Sequence, residues 1–321
     1  MFIKPIQLPH FIEQYHAYVL RTRSRPERAI LGEQLRNYQA GFNGEKSLEP
    51  HLRALNSRDF LILHDLRLFN LIYYFQMDFL LLHPSCLIVL EVKNLAGTLS
   101  LDCTNHQLTR LFKQEEEIFP DPLVQSRALT QQLRDWLVIH YPQLAEIPIH
   151  DHVVFSSPGT FINFSNGSLS EKQRIIRGPE VTQQVSKIID SMPAPVLTMK
   201  TLRQIGNKLL ADNHPKTIDL LRSGTLQENQ IMKGVRCPSC GHLPMKRIVH
   251  SWQCPNCHKN AQKAHLASLR DYQLIYGSRI TNQQCRDFLQ IESESTSRFL
   301  LQSMHLKSSG KTRTKTYYLN F

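Results

Sequence analysis

Two apolar runs, Phe79–Leu82 and Cys86–Leu90, lie on either side of His83-Pro84-Ser85 and form the most continuous hydrophobic stretch of the chain. Runs of four to eight apolar residues bounded by a turn signal read as buried strands, so a β-hairpin is predicted here. Phe60–His64 is predicted as the strand before it, with Leu95–Leu101 (Gly97 at the bend) and His152–Phe155 as strands after it. Elsewhere the apolar positions recur at helical spacing. Residues 1–40 read as helical around a basic stretch, Arg21–Arg28; Gly41 ends that region, and a second helix starts near Asn43 with Leu48, Leu52 and Leu55 inward. Asp121-Pro122 opens a helix to about His140, since proline is tolerated in a first turn. Pro179–Asp190 and Thr201–Leu210 are two more helices, separated by a Pro193/Pro195 linker. Gly159–Gly178 is polar and turn-rich, and residues 211–230 read as a connector. The pattern predicts an α/β fold: a mixed sheet flanked by helices.

The last sixty residues carry a different pattern. Leu266–Ile275 is a helix, Thr281-Asn-Gln-Gln284 is a capping box that opens a second helix through Leu289, and Ser295–Met304 is a third, with Phe299, Leu300 and Met304 available for packing. A basic turn, Lys307–Lys315, leads into a strand, Thr316–Leu319. Three short helices followed by a basic hairpin resemble a winged helix-turn-helix. That resemblance implies that Thr296, Arg298 and Gln302 face bases or phosphates, while Lys311, Arg313 and Lys315 grip the backbone. A helical bundle that docks protein is the alternative.

Composition narrows the classes. A chain of 321 residues with 41% hydrophobic and 20% charged content is expected to form two or three soluble domains. It has no apolar run of about eighteen residues, as a membrane span needs, and no visible export signal, so cytoplasm is the expected location. The net charge is +11, and from Glu228 to Phe321 fourteen Lys and Arg face five Asp and Glu. A polyanion is therefore the expected partner of the last third.

Cys86, Cys103 and Cys285 are isolated, whereas Cys237-Pro-Ser-Cys240-Gly241 and Cys254-Pro-Asn-Cys257-His258 are paired CxxC turns with thirteen residues between them. Each turn places two thiolates on one metal, and four at tetrahedral geometry suit structural Zn²⁺. Leu243–Trp252 would supply the short hairpin of a zinc ribbon.

The candidate chemistry sits at the end of the greasy hairpin. Asp78 opens its first strand and Glu91-Val92-Lys93 closes its second; alternation sends Glu91 and Lys93 to one face and Val92 to the other. Asp78 would meet Glu91 across the ladder. Charges there are costly to bury unless they bind something. Two carboxylates suit Mg²⁺ or Mn²⁺, and a nearby lysine can orient water or neutralise charge growing on phosphorus. Glu45 shares the inward helical face of Leu48 and Leu52, and Gln125 that of Leu129 and Leu133.

Asp followed by Glu-x-Lys on a hairpin resembles the PD-(D/E)xK nucleases. Gly41-Phe-Asn-Gly44-Glu45-Lys46, His64-Asp65-Leu66, Gln76-Met-Asp78, Glu91-Val-Lys93-Asn94, Gly97 and Pro122-Leu-Val-Gln125 together resemble the NERD (nuclease-related) domain over about residues 39–155. The resemblance implies a restriction-endonuclease-like fold and a catalytic set of Glu45, Gln76, Asp78, Glu91, Lys93 and Gln125. The expected organisation is a helical extension at 1–40, the nuclease-like domain with its connector at 41–230 (core 41–155), a zinc ribbon at 231–262 and the winged-helix-like region at 263–321. The expected function is Mg²⁺-dependent hydrolysis of DNA, with RNA also open, by a chain that a duplex substrate could require as a homodimer. The alternative is a non-cutting DNA-binding or signalling adaptor that keeps the fold as a scaffold.

Overall fold

The hairpin that dominates the hydrophobic pattern forms the middle of a six-stranded sheet in the computed structural model, which describes residues 1–321 apart from Asn56, Ser57, Pro193, Thr312 and Arg313. The roles expected of Pro193 and Arg313 therefore lie outside the described residues. In chain order the elements are β1 (Phe2–Lys4), α1 (His10–Arg21), α2 (Arg25–Ser47), α3 (Glu49–Arg53), β2 (Leu61–Phe69), β3 (Tyr74–His83), β4 (Cys86–Lys93), β5 (Gly97–Asp102), β6 (Gln107–Phe112), β7 (Glu115–Pro120) and α4 (Pro122–His140). They continue with β8 (Ile149–Phe155), β9 (Thr160–Ser165), α5 (Leu169–Gln173), β10 (Ile175–Arg177), α6 (Val181–Ser191) and α7 (Met199–Ala211). The remainder is β11 (Lys246–Ile248), β12 (Ser251–Gln253), α8 (Ala264–Tyr276), β13 (Arg279–Thr281), α9 (Asn282–Leu289), α10 (Glu294–Ser303), β14 (Lys307–Ser309) and β15 (Thr316–Tyr318).

These elements divide into two units: Met1–Pro9 with Asn37–Lys216, and His10–Arg36 with Thr217–Phe321. The first unit is built on the sheet β1-β2-β3-β4-β8-β10, antiparallel across β2-β3-β4 and parallel elsewhere. Its central strands are apolar on both faces because both are covered. Leu133, Trp136 and Leu137 of α4 and Leu202, Ile205 and Leu209 of α7 pack with Leu80, Leu82, Leu87 and Val89 on one face. Leu52 of α3 and Val181, Val185 and Ile188 of α6 pack with Phe79, Leu81, Ile88 and Leu90 on the other. A second sheet, β7-β6-β5-β9, buries Leu99, Leu101 and Leu108 against Leu123, Val153 and Phe155. The mixed sheet flanked by helices is the architecture expected.

Several elements differ from expectation. Residues 2–4 are not helical but form β1, parallel to β2. Gly41 does not end a helix; α2 runs through it and through Gly44 to Ser47. The turn-rich stretch 159–178 holds β9, α5 and β10, and β6 and β7 had no counterpart in the hydrophobic pattern.

In the second unit, the β11–β12 hairpin and the helices α8–α10 do not have separate cores. Cys237, Met245, Trp252 and Cys254 are buried in one cluster with Leu269, Tyr272, Phe288, Leu301 and Tyr317. The strands β13 and β14 both pair with β15 in a three-stranded antiparallel sheet. The helix α1 lies in this unit, its Arg21 side chain fully buried against Asp271 of α8 at 2.8 Å and over the Phe288 ring. The capping box at Thr281 and Gln284 forms as expected. Phe299, expected to pack, is instead 60% exposed, because Leu300, Leu301 and Ser297 fill the inward face of α10.

Candidate active site and metal centre

The hairpin register places the acids. Phe79 pairs with Leu90 and His83 with Cys86, so Asp78 and Glu91 are the residues that follow the last pair of this ladder on its two strands. The backbone N–H of Val92 donates to Asp78 Oδ2 at 2.7 Å, which locks that carboxylate to the end of β4. Glu91 extends the stripe of Leu87 and Val89, whereas Val92 packs against the opposite core, as alternation requires.

Burial, then the charges of Glu91 and Glu45, push the Asp78 carboxyl well above its ordinary pKa. A desolvated carboxylate that feels the charge of two others is of the chemistry that a hard divalent cation neutralises. The residues present thus fit a Mg²⁺ or Mn²⁺ ion.

Lys93 Nζ donates to Glu91 Oε1 at 2.7 Å and to Gln125 Oε1 at 2.8 Å. An ammonium has three donors, so one stays free for a substrate oxygen or a water. Gln125 is positioned by α4, whose N-cap is Asp121: its carboxylate accepts from the Leu123 N–H at 2.7 Å and starts the helix one turn before Gln125.

Glu45 reaches the cluster from α2 and hydrogen-bonds to His64 Nε2 at 2.7 Å. The His64 ring is buried between Phe42 and Phe79, so it fixes the orientation of that carboxylate. His64 belongs to the His64-Asp65-Leu66 motif, but no role for it follows from the sequence alone. The signal for one is a histidine on the inward face of a strand with an acid nearby. Gln76, expected in the catalytic set, donates to Asp65 Oδ1 at 2.6 Å. Asp65 is also the partner of Lys4, whose ammonium donates to the His64 and Asp65 carbonyls at 2.6 and 2.5 Å. Lys4 arrives on β1, so the strand that the pattern missed supplies a second cation beside the acids.

The approach of α2 to the sheet depends on one glycine. A Cβ at Gly44 would collide with Asn94 and Ser156, while a Cβ at Gly41 meets nothing within 4 Å. Asn94 Nδ2 donates to the Ala40 carbonyl at 2.7 Å and ties the end of β4 to the same helix. Gly44→Ala is therefore expected to destabilise the fold by about 1–3 kcal/mol through overpacking. Gly41→Ala should instead stabilise it by about 0.5–1 kcal/mol, as alanine does in a helix interior. Urea unfolding of the two variants checks the contrast.

The four cysteines converge in the second unit. Their sulfurs lie within 4.8 Å of one another, with Cys237 and Cys257 3.6 Å apart and Cys240 and Cys254 3.5 Å apart. Four ligands about 2.3 Å from a tetrahedral zinc would be separated by roughly 3.8 Å, so the arrangement fits Zn²⁺. The sulfurs are too far apart for disulfides, and all are free. Among the described residues, this is the only group of three or more His, Cys, Asp or Glu that closes to that degree. Oxygens of Asp78, Glu91 and Glu45 thus do not all come within 4.8 Å of one another.

Of the tail residues expected to meet nucleic acid, Arg298 and Gln302 are exposed on α10 and Thr296 is half-buried. Arg298 pairs with Glu294 at 2.5 Å. Lys311 is exposed, and Lys315 lies over the Tyr317 ring at 5.1 Å. Among the described residues, no helix is long and apolar enough to cross a membrane.

Residues 40–156 match the family model of the nuclease-related domain, NERD. No curated protein and no solved structure matches the chain.

Proposed function

We propose that this chain, which carries a nuclease-related domain over residues 40–156, is a divalent-metal-dependent nuclease that hydrolyses phosphodiester bonds in DNA. The observation that supports the reading is the set of hydrogen bonds at the end of β4, where Asp78 accepts from the Val92 N–H and Lys93 donates to Glu91 and Gln125. A scaffold has no need to gather three carboxylates and an ammonium at the end of an apolar hairpin.

Asp78 and Glu91 would hold the ion, with the Val92 carbonyl as a further oxygen and Glu45 reaching it through water. Mg²⁺ keeps several waters, so two carboxylates suffice. When bound, such an ion polarises the phosphate and makes a water acidic enough to attack at neutral pH. Lys93 then orients that water or meets the negative charge that grows on the phosphate oxygens; Gln125 and Glu91 hold the ammonium in place. A water oxygen forms the new bond to phosphorus, the bond to the leaving sugar oxygen breaks, and the proton of the water ends in solvent while the leaving oxygen takes one up. His64 keeps Glu45 aimed at the cluster, and Gln76 orients Asp65, the partner of Lys4.

In the second unit, the order α8, β13, α9, α10, β14, β15 supports a winged helix-turn-helix reading, in which α10 and the basic β14–β15 turn contact nucleic acid. A binding module on the same chain raises the substrate concentration at the nuclease centre. One centre per chain makes two copies the natural unit for cutting a duplex, and the cytoplasm is the compartment that fits reduced thiols with zinc.

A cleavage panel of plasmid, linear duplex, single-stranded DNA and RNA tests the reading. Cleavage that requires Mg²⁺ or Mn²⁺ and falls roughly 100-fold or more in Lys93→Ala is expected. A wild-type protein that shifts DNA yet cuts none of the substrates would support the adaptor reading instead.

A further inference from the structure

Of the α10 residues available for packing, Phe299 presents an aromatic ring with no core beneath it, unlike its buried neighbour Leu300. Phe299 is 60% exposed, between the exposed Arg298 and the exposed Ser295 and Gln302 one turn to either side. Opposite it stands the turn of the cysteine hairpin. Ile248 pairs with Ser251, so Val249 and His250 form a two-residue tip, with His250 at φ +56° and Val249 84% exposed. Together Arg247, Ile248, Val249, His250, Ser295, Thr296 and Phe299 line a groove of ≈ 480 Å³.

The groove has apolar walls, and Arg247 is the cation that lines it. No acid lines it, the nearby Glu294 is already paired with Arg298, and Arg247 is held over the Trp252 ring at 5.1 Å. It belongs to a segment in which fourteen Lys and Arg face five Asp and Glu. A polyanion with apolar flat groups complements such a surface; an acidic protein would offer the charge without the flat groups. In a duplex the base faces are hidden in the stack, and only an unpaired base can lay its face on Phe299.

We propose that this groove is a stacking site for unpaired nucleobases, so that the second unit selects single-stranded or frayed DNA ends, with Phe299 as the platform and Val249 as the opposing wall. The inference rests on the reading that this unit binds nucleic acid, and it deepens that reading by naming the substrate class. It joins the zinc-dependent hairpin and α10 in one binding surface, so the hairpin is more than a support for the fold.

The test is fluorescence anisotropy of the full zinc-loaded chain, without added Mg²⁺ or Mn²⁺, on one labelled oligonucleotide used single-stranded and as a blunt duplex. Wild type is expected to bind the single strand more tightly. Phe299→Ala should weaken single-strand binding about tenfold, within the range for loss of one base–aromatic stack, and duplex binding less than twofold. Phe299→Trp should restore the single-strand affinity, which separates stacking from a folding defect. Equal losses on both forms, or no preference in wild type, would overturn the stacking site and leave the nucleic-acid reading standing. No binding to either form would overturn both. If Phe299→Ala instead turns a dimer into a monomer in size-exclusion chromatography with unchanged DNA affinity, the groove is an interface between copies and the proposal fails.

Discussion

Asp78→Asn is expected to reduce divalent-dependent cleavage to background and, in the same protein, to raise the melting temperature of the form without added divalent ions. The two effects have one cause. Burial and the charges of Glu91 and Glu45 raise the Asp78 pKa above its ordinary 3.8, so the folded state holds that proton more tightly than the unfolded chain does. The stability associated with this carboxyl is thus fully present below the unfolded pKa and is lost as pH rises through the folded one. At neutral pH the wild type carries the cost of an ionised carboxylate among others, and the neutral amide does not. Saturating Mg²⁺ should reverse the order: an ion binding only the folded wild type adds about 2.7 kcal/mol at a hundredfold excess over Kd, and nothing in the variant. Differential scanning fluorimetry across pH, with and without Mg²⁺, reads both signs. A variant less stable than wild type in the absence of divalent ions at neutral pH would mean that the acids are not in conflict.

The second large effect expected is that of emptying the four-cysteine site, whose geometry fits zinc. Structural zinc contributes on the order of 10–16 kcal/mol in isolated fingers, comparable with or larger than the whole stability of a domain. Cys237 and Cys254 are themselves part of the core that holds Leu269, Phe288 and Leu301, so the loss should not stay in the β11–β12 hairpin. Cys254→Ser, or a zinc-selective chelator, is expected to expose the amides of α8, α9 and α10 to hydrogen exchange together, while those of β3 and β4 keep their protection. Exchange confined to residues 237–257 would show that the helices stand without the metal.

The parts of the fold that were legible in the sequence are those specified locally. The hairpin could be read because two apolar runs meet at Pro84-Ser85, the cysteine knuckles because their spacing is itself the geometry, and the α9 start because Thr281 and Gln284 cap each other within one turn. What was missed depends on distant partners. The strand β1 has three residues and exists because Phe2 finds Ile62 across sixty positions of chain. The strand β7 begins Glu115-Glu116-Glu117, a charge run that reads as loop until β6 lies beside it. Gly41 and Gly44 look like helix terminators; only the side chains of Asn94 and Ser156 show why α2 needs the second of them.

The candidate site divides the same way. Asp78, Glu91, Lys93 and Gln125 were legible because strand alternation and helix periodicity each converge on one corner. His64 and Lys4 were not, because a hydrogen bond to Glu45 and a strand pairing have no periodic signature. Nor could sequence order show that His10–Arg36 belongs with Thr217–Phe321: the Arg21–Asp271 ion pair spans 250 residues. The ordered motifs compensated for this, since they named the acids without any account of what orients them.

Titration of the zinc-loaded chain with Mn²⁺, followed by electron paramagnetic resonance, is the most direct measurement of whether the acids at the hairpin end hold a catalytic ion. One site should be filled in wild type and in Lys93→Met, and lost in both Asp78→Asn and Glu91→Gln. Undiminished Mn²⁺ binding in the two carboxamide variants would place the ion elsewhere and contradict the account.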